Sequence, residues 1–336
     1  MAPTILIAES SGFSKQGLMH LETAAKVVLA DLDRPSLLST VRNSDVLWVR
    51  LRHQIDREVF EAAPQLRAIA TPTTGLNHID LAEAERRNIH IISLRDEVDF
   101  LQGVYATAEH TMALIFSLVR HIPAAHDHAV NGKWNRDLFI GVELFGKTAG
   151  IIGYGRIGRM VGRYLRAFGM RVIVSDIREI NAAQAQEEQG IERVPLIELL
   201  RKSDLITLHV PLTEKTHRLL GFHEFSNMKK GVWFINTSRG EIVDESALLL
   251  ALAENRVAGA ALDVLCDERA SGMSENSVVQ YAQTHGNVVI TPHIAGCTFE
   301  SREKTEIFLA GRVVSFLAQL HKQQHAIDTA VSPALL

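Results

Sequence analysis

The sequence predicts an α/β protein made of two doubly wound parallel-sheet domains, and three observations carry that prediction. Short apolar runs alternate with helix-compatible segments along nearly the whole chain. Most of the runs are continuously apolar, as strands buried on both faces of a parallel sheet are, rather than alternating. A chain of 336 residues also exceeds what one hydrophobic core usually organises, so two such series are expected.

The first series has strand-like runs at 4–8, 26–30, 46–49, 66–70 and 89–92. A longer helix is predicted over 105–121, because Ala108, Met112, Ile115, Leu118 and Val119 repeat at helical spacing until Pro123. The second series runs through 148–152, 171–175, 205–209, 232–236, 258–263 and 287–290. After Pro292 an amphipathic segment, 301–320, reads as the last long helix, and 323–336 shows little periodicity. There is no fixed-period repeat and no low-complexity linker.

The second series opens on its most informative stretch. Gly153-Tyr154-Gly155-Arg156-Ile157-Gly158 follows the strand 148–152, and the next strand, 171–175, stops at Asp176. The helix between them, predicted over 158–168, brings Ile157, Val161, Tyr164, Leu165 and Phe168 onto one face. In a dinucleotide site Gly153 permits the tight turn, Gly155 lets a pyrophosphate approach the backbone, and Gly158 allows helix and strand to pack closely. The helix N-terminus then faces the phosphates. Asp176 is placed to accept hydrogen bonds from a ribose diol, and its charge would repel a 2′-phosphate, so NAD is favoured over NADP. The boundaries follow: residues 105–296 form a Rossmann NAD-binding domain inserted into a flavodoxin-like substrate domain of residues 1–104 and 297–336, with the two chain crossings acting as a hinge.

Composition excludes several other classes. The formal charge of −4 comes from well-mixed acids and bases with no basic run, which disfavours nucleic acid as a partner. No stretch reaches the length a membrane helix needs, and the N-terminus lacks the pattern of a secretory signal. Cys266 and Cys297 make no disulfide framework and no metal-ligand spacing with histidine, so the expected compartment is the reducing cytoplasm and no metal is expected.

Three segments beyond the glycine turn each end a predicted strand. In Asn236-Thr237-Ser238-Arg239-Gly240 a guanidinium follows a buried strand, where its planar fork can grip a carboxylate and polarise a neighbouring carbonyl. An ion pair with Asp244 or Glu245 is the structural alternative. Ala261-Leu262-Asp263 leads to Glu268, and Thr291-Pro292-His293-Ile294-Ala295-Gly296 carries an imidazole able to exchange a proton near neutrality. A carboxylate such as Glu268 would orient that ring and stabilise its cation. Taken singly, His293 reads as a satisfied buried histidine and Glu268 as a solvated acid. Their common location, where open α/β sheets gather ligands, favours a shared site.

From Thr71-Pro72-Thr73-Thr74-Gly75-Leu76-Asn77-His78-Ile79-Asp80 to Thr291-Pro292-His293 and the helix beyond, the chain resembles the D-isomer-specific 2-hydroxyacid dehydrogenase family, most nearly its D-3-phosphoglycerate dehydrogenase catalytic cores. The resemblance implies an NAD-dependent oxidoreductase that moves a hydride between NAD(H) and a small D-2-hydroxy acid or 2-keto acid. It implies catalytic roles for Arg239, Glu268 and His293. It assigns cofactor contacts to Gly153, Gly155, Arg156, Ile157, Gly158, Asp176, Val210, Pro211, Thr216, Thr237, Asp263, His293 and Gly296, with Asp263 holding the nicotinamide carboxamide. Thr74 and Gly75 match the loop that holds the substrate carboxylate. Arg50 and Arg52 suggest a site for a phosphate or second anionic group, or else solvated surface charges. Trp134-Asn135-Arg136 resembles a segment near the interface of a homodimer formed through the NAD-binding domains.

The chain departs from the family pattern at Arg269, where proline is frequent, at Ala295, which replaces a frequent glycine, in the length of 268–293, and in the composition of 94–103. In the direction of reduction His293 is expected to donate a proton to the keto oxygen while Arg239 stabilises its charge, with domain closure excluding water. A second class of function is an NAD-sensing scaffold like the C-terminal binding protein corepressors, which resemble the same family. Hydroxypyruvate or glyoxylate reduction is the neighbouring enzymatic alternative, and formate dehydrogenase, with glutamine where Glu268 stands, a more distant one.

Overall fold

The structure, a computed structural model, describes residues 2–178, 190–268 and 272–331. The chain divides into two compact units, Met1–Val104 with Cys297–Leu336, and Tyr105–Gly296.

The first unit holds five parallel strands, β1 (Thr4–Ile7), β2 (Lys26–Leu29), β3 (Val46–Trp48), β4 (Ala68–Thr71) and β5 (His90–Ser93), in the order β2-β1-β3-β4-β5. Period-two alternation divides their side chains between two faces. Ile5, Ile7 and Trp48 pack with Leu21, Leu309 and Val313, while Leu6, Leu47 and Ile69 pack with Phe60 and Val59. Each large side chain fully buried here, Trp48 or Phe60, contributes about 2–3 kcal/mol by leaving water. The helix Phe299–Val331 supplies Leu309 and Val313 and runs eleven residues past the end of the predicted segment 301–320. The strand order reverses between β1 and β3, which places this sheet's ligand crevice at their C-terminal ends.

Among its described residues the second unit holds seven parallel strands: β6 (Thr148–Ile152), β7 (Arg171–Ser175), β8 (Glu192–Arg193), β9 (Leu205–Leu208), β10 (Val232–Asn236), β11 (Val257–Leu262) and β12 (Val288–Ile290), in the order β12-β11-β10-β9-β6-β7-β8. Among the described residues, β8 is the one strand that the sequence does not predict. Register aligns the strand ends: Ile152 pairs with Ser175 and Leu208, Leu208 with Asn236, Asn236 with Leu262, and Leu262 with Ile290. The residues that follow, Gly153, Asp176, His209, Thr237, Asp263 and Thr291, therefore form one row along the C-terminal edge. Here the order reverses between β9 and β6, beside Gly153 and His209.

The helix Ala106–Val119 buries Ala108, Met112, Ile115, Leu118 and Val119, as its spacing predicts. It ends where His121 takes a left-handed φ of 53°, and a second helix, Ile122–Val130, starts at once with Pro123 in its first turn. Proline is tolerated there because the first-turn N–H has no intrahelical acceptor. Phe168 departs from its predicted place on the buried face of Arg156–Ala167. As the residue that caps the helix it stands 48% exposed, with its ring edge-on to Phe116 at 4.9 Å.

Candidate active site

The glycine turn is built as its spacing predicts. Gly153 has φ +88°, and a Cβ there would lie 2.6 Å from the His209 carbonyl oxygen and from Val210. At Gly158 a Cβ would meet the Gly153 carbonyl oxygen at 2.2 Å, so helix and strand pack as closely as backbone allows. Gly155 differs, since the nearest atom to its Cβ position, on Arg178, is 3.5 Å away. No packing requirement explains glycine there. The helix Arg156–Ala167 also opens at Gly155 with no side-chain cap. An open glycine before an uncapped helix N-terminus fits a diphosphate and is poorly explained by the protein's own packing. Burial holds the Arg156 guanidinium below the usual arginine pKa.

Asp176 is fixed by main-chain donors, Oδ2 accepting the Tyr154 N–H at 2.7 Å and Oδ1 the Arg178 N–H at 2.8 Å. Among the described residues each oxygen accepts one N–H, which leaves it a lone pair for a ribose hydroxyl. Beyond β9, the Thr216 hydroxyl donates to the Pro211 carbonyl at 2.6 Å and accepts the Thr213 N–H at 2.8 Å, closing the turn after Val210. Burial pushes the His209 imidazole down to about 3, so it is neutral near neutral pH.

After β10 the Asn236 side chain organises the loop that presents Arg239. Its Oδ1 accepts the Ser238 N–H and its Nδ2 donates to the Arg239 carbonyl, both at 2.9 Å. The Ser238 hydroxyl ties the loop to the Leu208 carbonyl at 2.7 Å, and Thr237 Oγ1 lies 3.0 Å from Thr111 Oγ1. A Cβ on Gly240 would stand 2.0 Å from the Leu265 carbonyl carbon and 2.3 Å from the Cys266 nitrogen. The loop bearing Arg239 thus lies directly on the segment that leads to Glu268. The acids proposed as structural partners for Arg239 have other tasks: Asp244 caps the helix Glu245–Ala253, and Glu245 accepts the Cys266 N–H at 2.7 Å. Burial, with Glu245, Glu241 and Asp267 nearby, pushes the Cys266 thiol up to about 12, which keeps it protonated.

His293 Nδ1 is hydrogen-bonded to Glu268 Oε1, and both side chains are about one-fifth exposed. This contact fixes the ring and leaves Nε2 as the exchangeable position. The His293 backbone is left-handed at φ +52°, held by its N–H to the carbonyls of Asp263 at 2.8 Å and Thr291 at 2.9 Å. Asp263 is buried at the end of β11 and holds the same loop: Oδ1 accepts the Ile294 N–H at 2.9 Å and the Thr291 hydroxyl at 2.6 Å, and Oδ2 accepts the Ala295 N–H at 2.8 Å. Burial alone would raise its pKa. Hydrogen bonds from His110, Thr291 and these N–H groups outweigh that and hold it below the usual carboxylate value. A Cβ on Gly296 would meet nothing within 4 Å. Arg269 lies outside the described residues.

In the first unit, Arg50 and Arg52 follow β3 at the strand-order reversal. Arg50 forms an ion pair with Glu306, the side chains being 14% and 1% exposed, and its Nη1 donates to the carbonyls of Glu9 at 3.0 Å and Ser11 at 2.9 Å. Glu306 also accepts the Ser14 N–H at 2.7 Å. Arg52 pairs with Asp31 at 2.5 Å but remains half exposed. After β4, the Thr73 hydroxyl donates to the Gly75 carbonyl at 2.9 Å and shapes the loop that presents Thr74.

Comparison with known proteins decides the family. Residues 112–295 match the model of the D-isomer specific 2-hydroxyacid dehydrogenase, NAD binding domain. The chain belongs to this family. It is 35% identical over 327 residues to a glyoxylate reductase of Pyrococcus furiosus, covering 94% of this chain and 93% of that one. It is equally identical over 311 residues to a D-3-phosphoglycerate dehydrogenase of Archaeoglobus fulgidus, covering 93% of this chain but 56% of that one. A crystal structure of D-lactate dehydrogenase from Aquifex aeolicus, complexed with NAD and lactic acid, superimposes with a TM-score of 0.80 at 28% identity, covering 95% of this chain and 97% of that one. The protein is therefore an NAD-dependent D-2-hydroxyacid dehydrogenase, with two parallel-sheet α/β domains and a small hydroxy or keto acid as substrate.

The sequence gives no role to the two residues behind the row, His110 and Thr111, although each bonds to a row residue, Thr291 and Thr237. The available signal was two polar residues within an otherwise apolar helical stripe, Thr111 being fully buried.

Proposed function

We propose that the enzyme reduces a small 2-keto acid with a single negative charge, of the glyoxylate or hydroxypyruvate kind, to the 2-hydroxy acid. The observation that carries the chemistry is the His293–Glu268 pair, on the same sheet edge as Arg239 and the glycine turn. Gly155, Arg156 and Ile157 accept the diphosphate, Asp176 the ribose diol, and Asp263 Oδ2 the carboxamide, with Val210, Pro211, Thr216, Thr237 and Gly296 bordering the cofactor. Bound NADH supplies the hydride. Protonated at Nε2, His293 gives its proton to the keto oxygen, and Glu268 stabilises the cation beforehand. Arg239 grips the substrate carboxylate and faces the oxygen as charge develops, a contribution of about 3 kcal/mol or more for a preorganised donor. Thr74 and Gly75, in the loop shaped by the Thr73 hydroxyl, are the first unit's substrate-binding residues in this reading.

The substrate class rests on Arg50. Its Nε, both Nη1 protons and Nη2 are directed to Glu306, Glu9 and Ser11, so its charge is neutralised within the fold. Arg52 alone at this strand end keeps an exposed guanidinium, and Asp31 offsets it. A phosphate would find little uncompensated positive charge. The glyoxylate reductase relatives, matched over nearly their whole length, support the same choice.

The test is NADH oxidation with glyoxylate, hydroxypyruvate and phosphohydroxypyruvate. The phosphorylated acid should show kcat/KM at least 100-fold below the better of the other two; a preference for it would overturn the assignment. His293→Ala and Arg239→Ala should each lose about 10³-fold or more in kcat while NADH affinity stays within threefold.

The enzyme is also proposed to be a homodimer through the second unit, where Trp134, Leu138, Ile140 and Phe145 stand 63–92% exposed. Both cysteines are free, which suits a reducing cytoplasm.

A further inference from the structure

His110 belongs to no step proposed above, yet its imidazole reaches the centre of the loop that carries His293. It projects from the helix Ala106–Val119 with its side chain 19% exposed. Nε2 lies 3.1 Å from Thr291 Oγ1 and 3.3 Å from Asp263 Oδ1. The single proton of the Thr291 hydroxyl goes to Asp263 Oδ1 at 2.6 Å. Thr291 therefore faces His110 as an acceptor, and so does the carboxylate. The proton balance requires an N–H at Nε2, which fixes the tautomer of a neutral His110.

This shared proton divides the work of Asp263 between its two oxygens. Oδ1 receives Thr291, the Ile294 N–H and the edge of His110, and is saturated. Among the described residues, Oδ2 receives the Ala295 N–H alone and keeps one lone pair for a ligand N–H. The same bonds over-determine the left-handed backbone at His293, a conformation that costs a non-glycine residue about 1 kcal/mol or more. We propose that His110 is a positioning residue: through Thr291 and Asp263 it keeps Oδ2 turned toward the nicotinamide carboxamide and keeps His293 in its left-handed turn. The inference rests on the roles given to Asp263 and His293 in the proposed function.

The experiment compares the affinity of the whole enzyme for NADH with its affinity for ADP-ribose, which lacks the nicotinamide, by calorimetric titration. His110→Leu removes the donor, and His110→Gln returns an N–H near the Nε2 position. The leucine variant should weaken NADH binding tenfold or more and leave ADP-ribose within twofold, with kcat falling further than KM rises. The glutamine variant should recover most of the NADH affinity. Equal weakening of both ligands, or no change in either, overturns the proposal. Should the leucine variant fail to fold, Thr291→Val removes the bridge from its other end and must give the same difference. Asp263→Asn separates the two levels: if it leaves the NADH to ADP-ribose ratio unchanged, the carboxamide contact itself is wrong. If that ratio shifts while His110→Leu has no effect, only the role of His110 falls.

Discussion

At the scale of single residues, two glycines on the same sheet edge make opposite predictions. Gly240 is required by the fold, since a methyl there would enter the backbone of Leu265 and Cys266 at 2.0–2.3 Å. Gly240→Ala should cost about 1–3 kcal/mol in a denaturant titration and lower activity, because the displaced segments carry Arg239 and Glu268. Among the described residues, no atom comes nearer to the Cβ position of Gly155 than Arg178 Nη2 at 3.5 Å. Gly155→Ala should leave the unfolding midpoint unchanged and weaken NADH binding tenfold or more. A stability loss equal to that of the Gly240 variant would show that the space at Gly155 serves packing rather than a ligand. Arg239, Glu268 and His293 stand out in the sequence as candidates because motif, position after a strand and residue type coincide. His110 does not, since its partners Asp263 and Thr291 are more than 150 residues away and only the sheet register brings them near.

At the scale of elements, strand ends concentrate both chemistry and pH sensitivity. His209, at the end of β9, has its pKa lowered from 6.5 to about 3 by burial, so it stays neutral in the folded protein where the unfolded chain protonates. Above pH 6.5 neither state binds the proton and His209 contributes no slope. As pH falls from 6.5 toward 3, the unfolded chain alone takes it up, so stability is lost with a slope approaching one proton. His209→Asn, compared with wild type by thermal unfolding across pH 4–7, should show a shallower decline; an identical slope would mean that His209 protonates freely in the fold. Among the described strands, those of three or more residues were legible because an apolar run needs length to appear. β8, with two residues, carries no period, and it became a strand by pairing with β7. Pro123 signalled a helix end correctly, but the restart depends on the left-handed turn at His121, a backbone choice with no side-chain signature.

At the scale of the molecule, the chain passes twice between its two units, at 104–105 and 296–297, and the second crossing directly follows the loop of His293. The exposed apolar group around Trp134 sets a prediction for assembly. Light scattering coupled to size exclusion should give twice the mass of one chain, and Trp134→Glu with Ile140→Glu should give a monomer. A wild-type monomer would show that these side chains serve another purpose. The sequence by itself determined the fold class, the glycine turn, the acid after β7 and the placing of Arg239, Glu268 and His293 in the segments that follow strands, because each is written in local order: apolar period, turn chemistry, position after a strand. Tertiary structure decided how those groups are used. It spent the charge of Arg50 on Glu306, 256 residues away, and joined Glu268 to His293 across 25 residues. Ion pairs and proton-sharing networks depend on distances through space, which a linear order of residues does not contain.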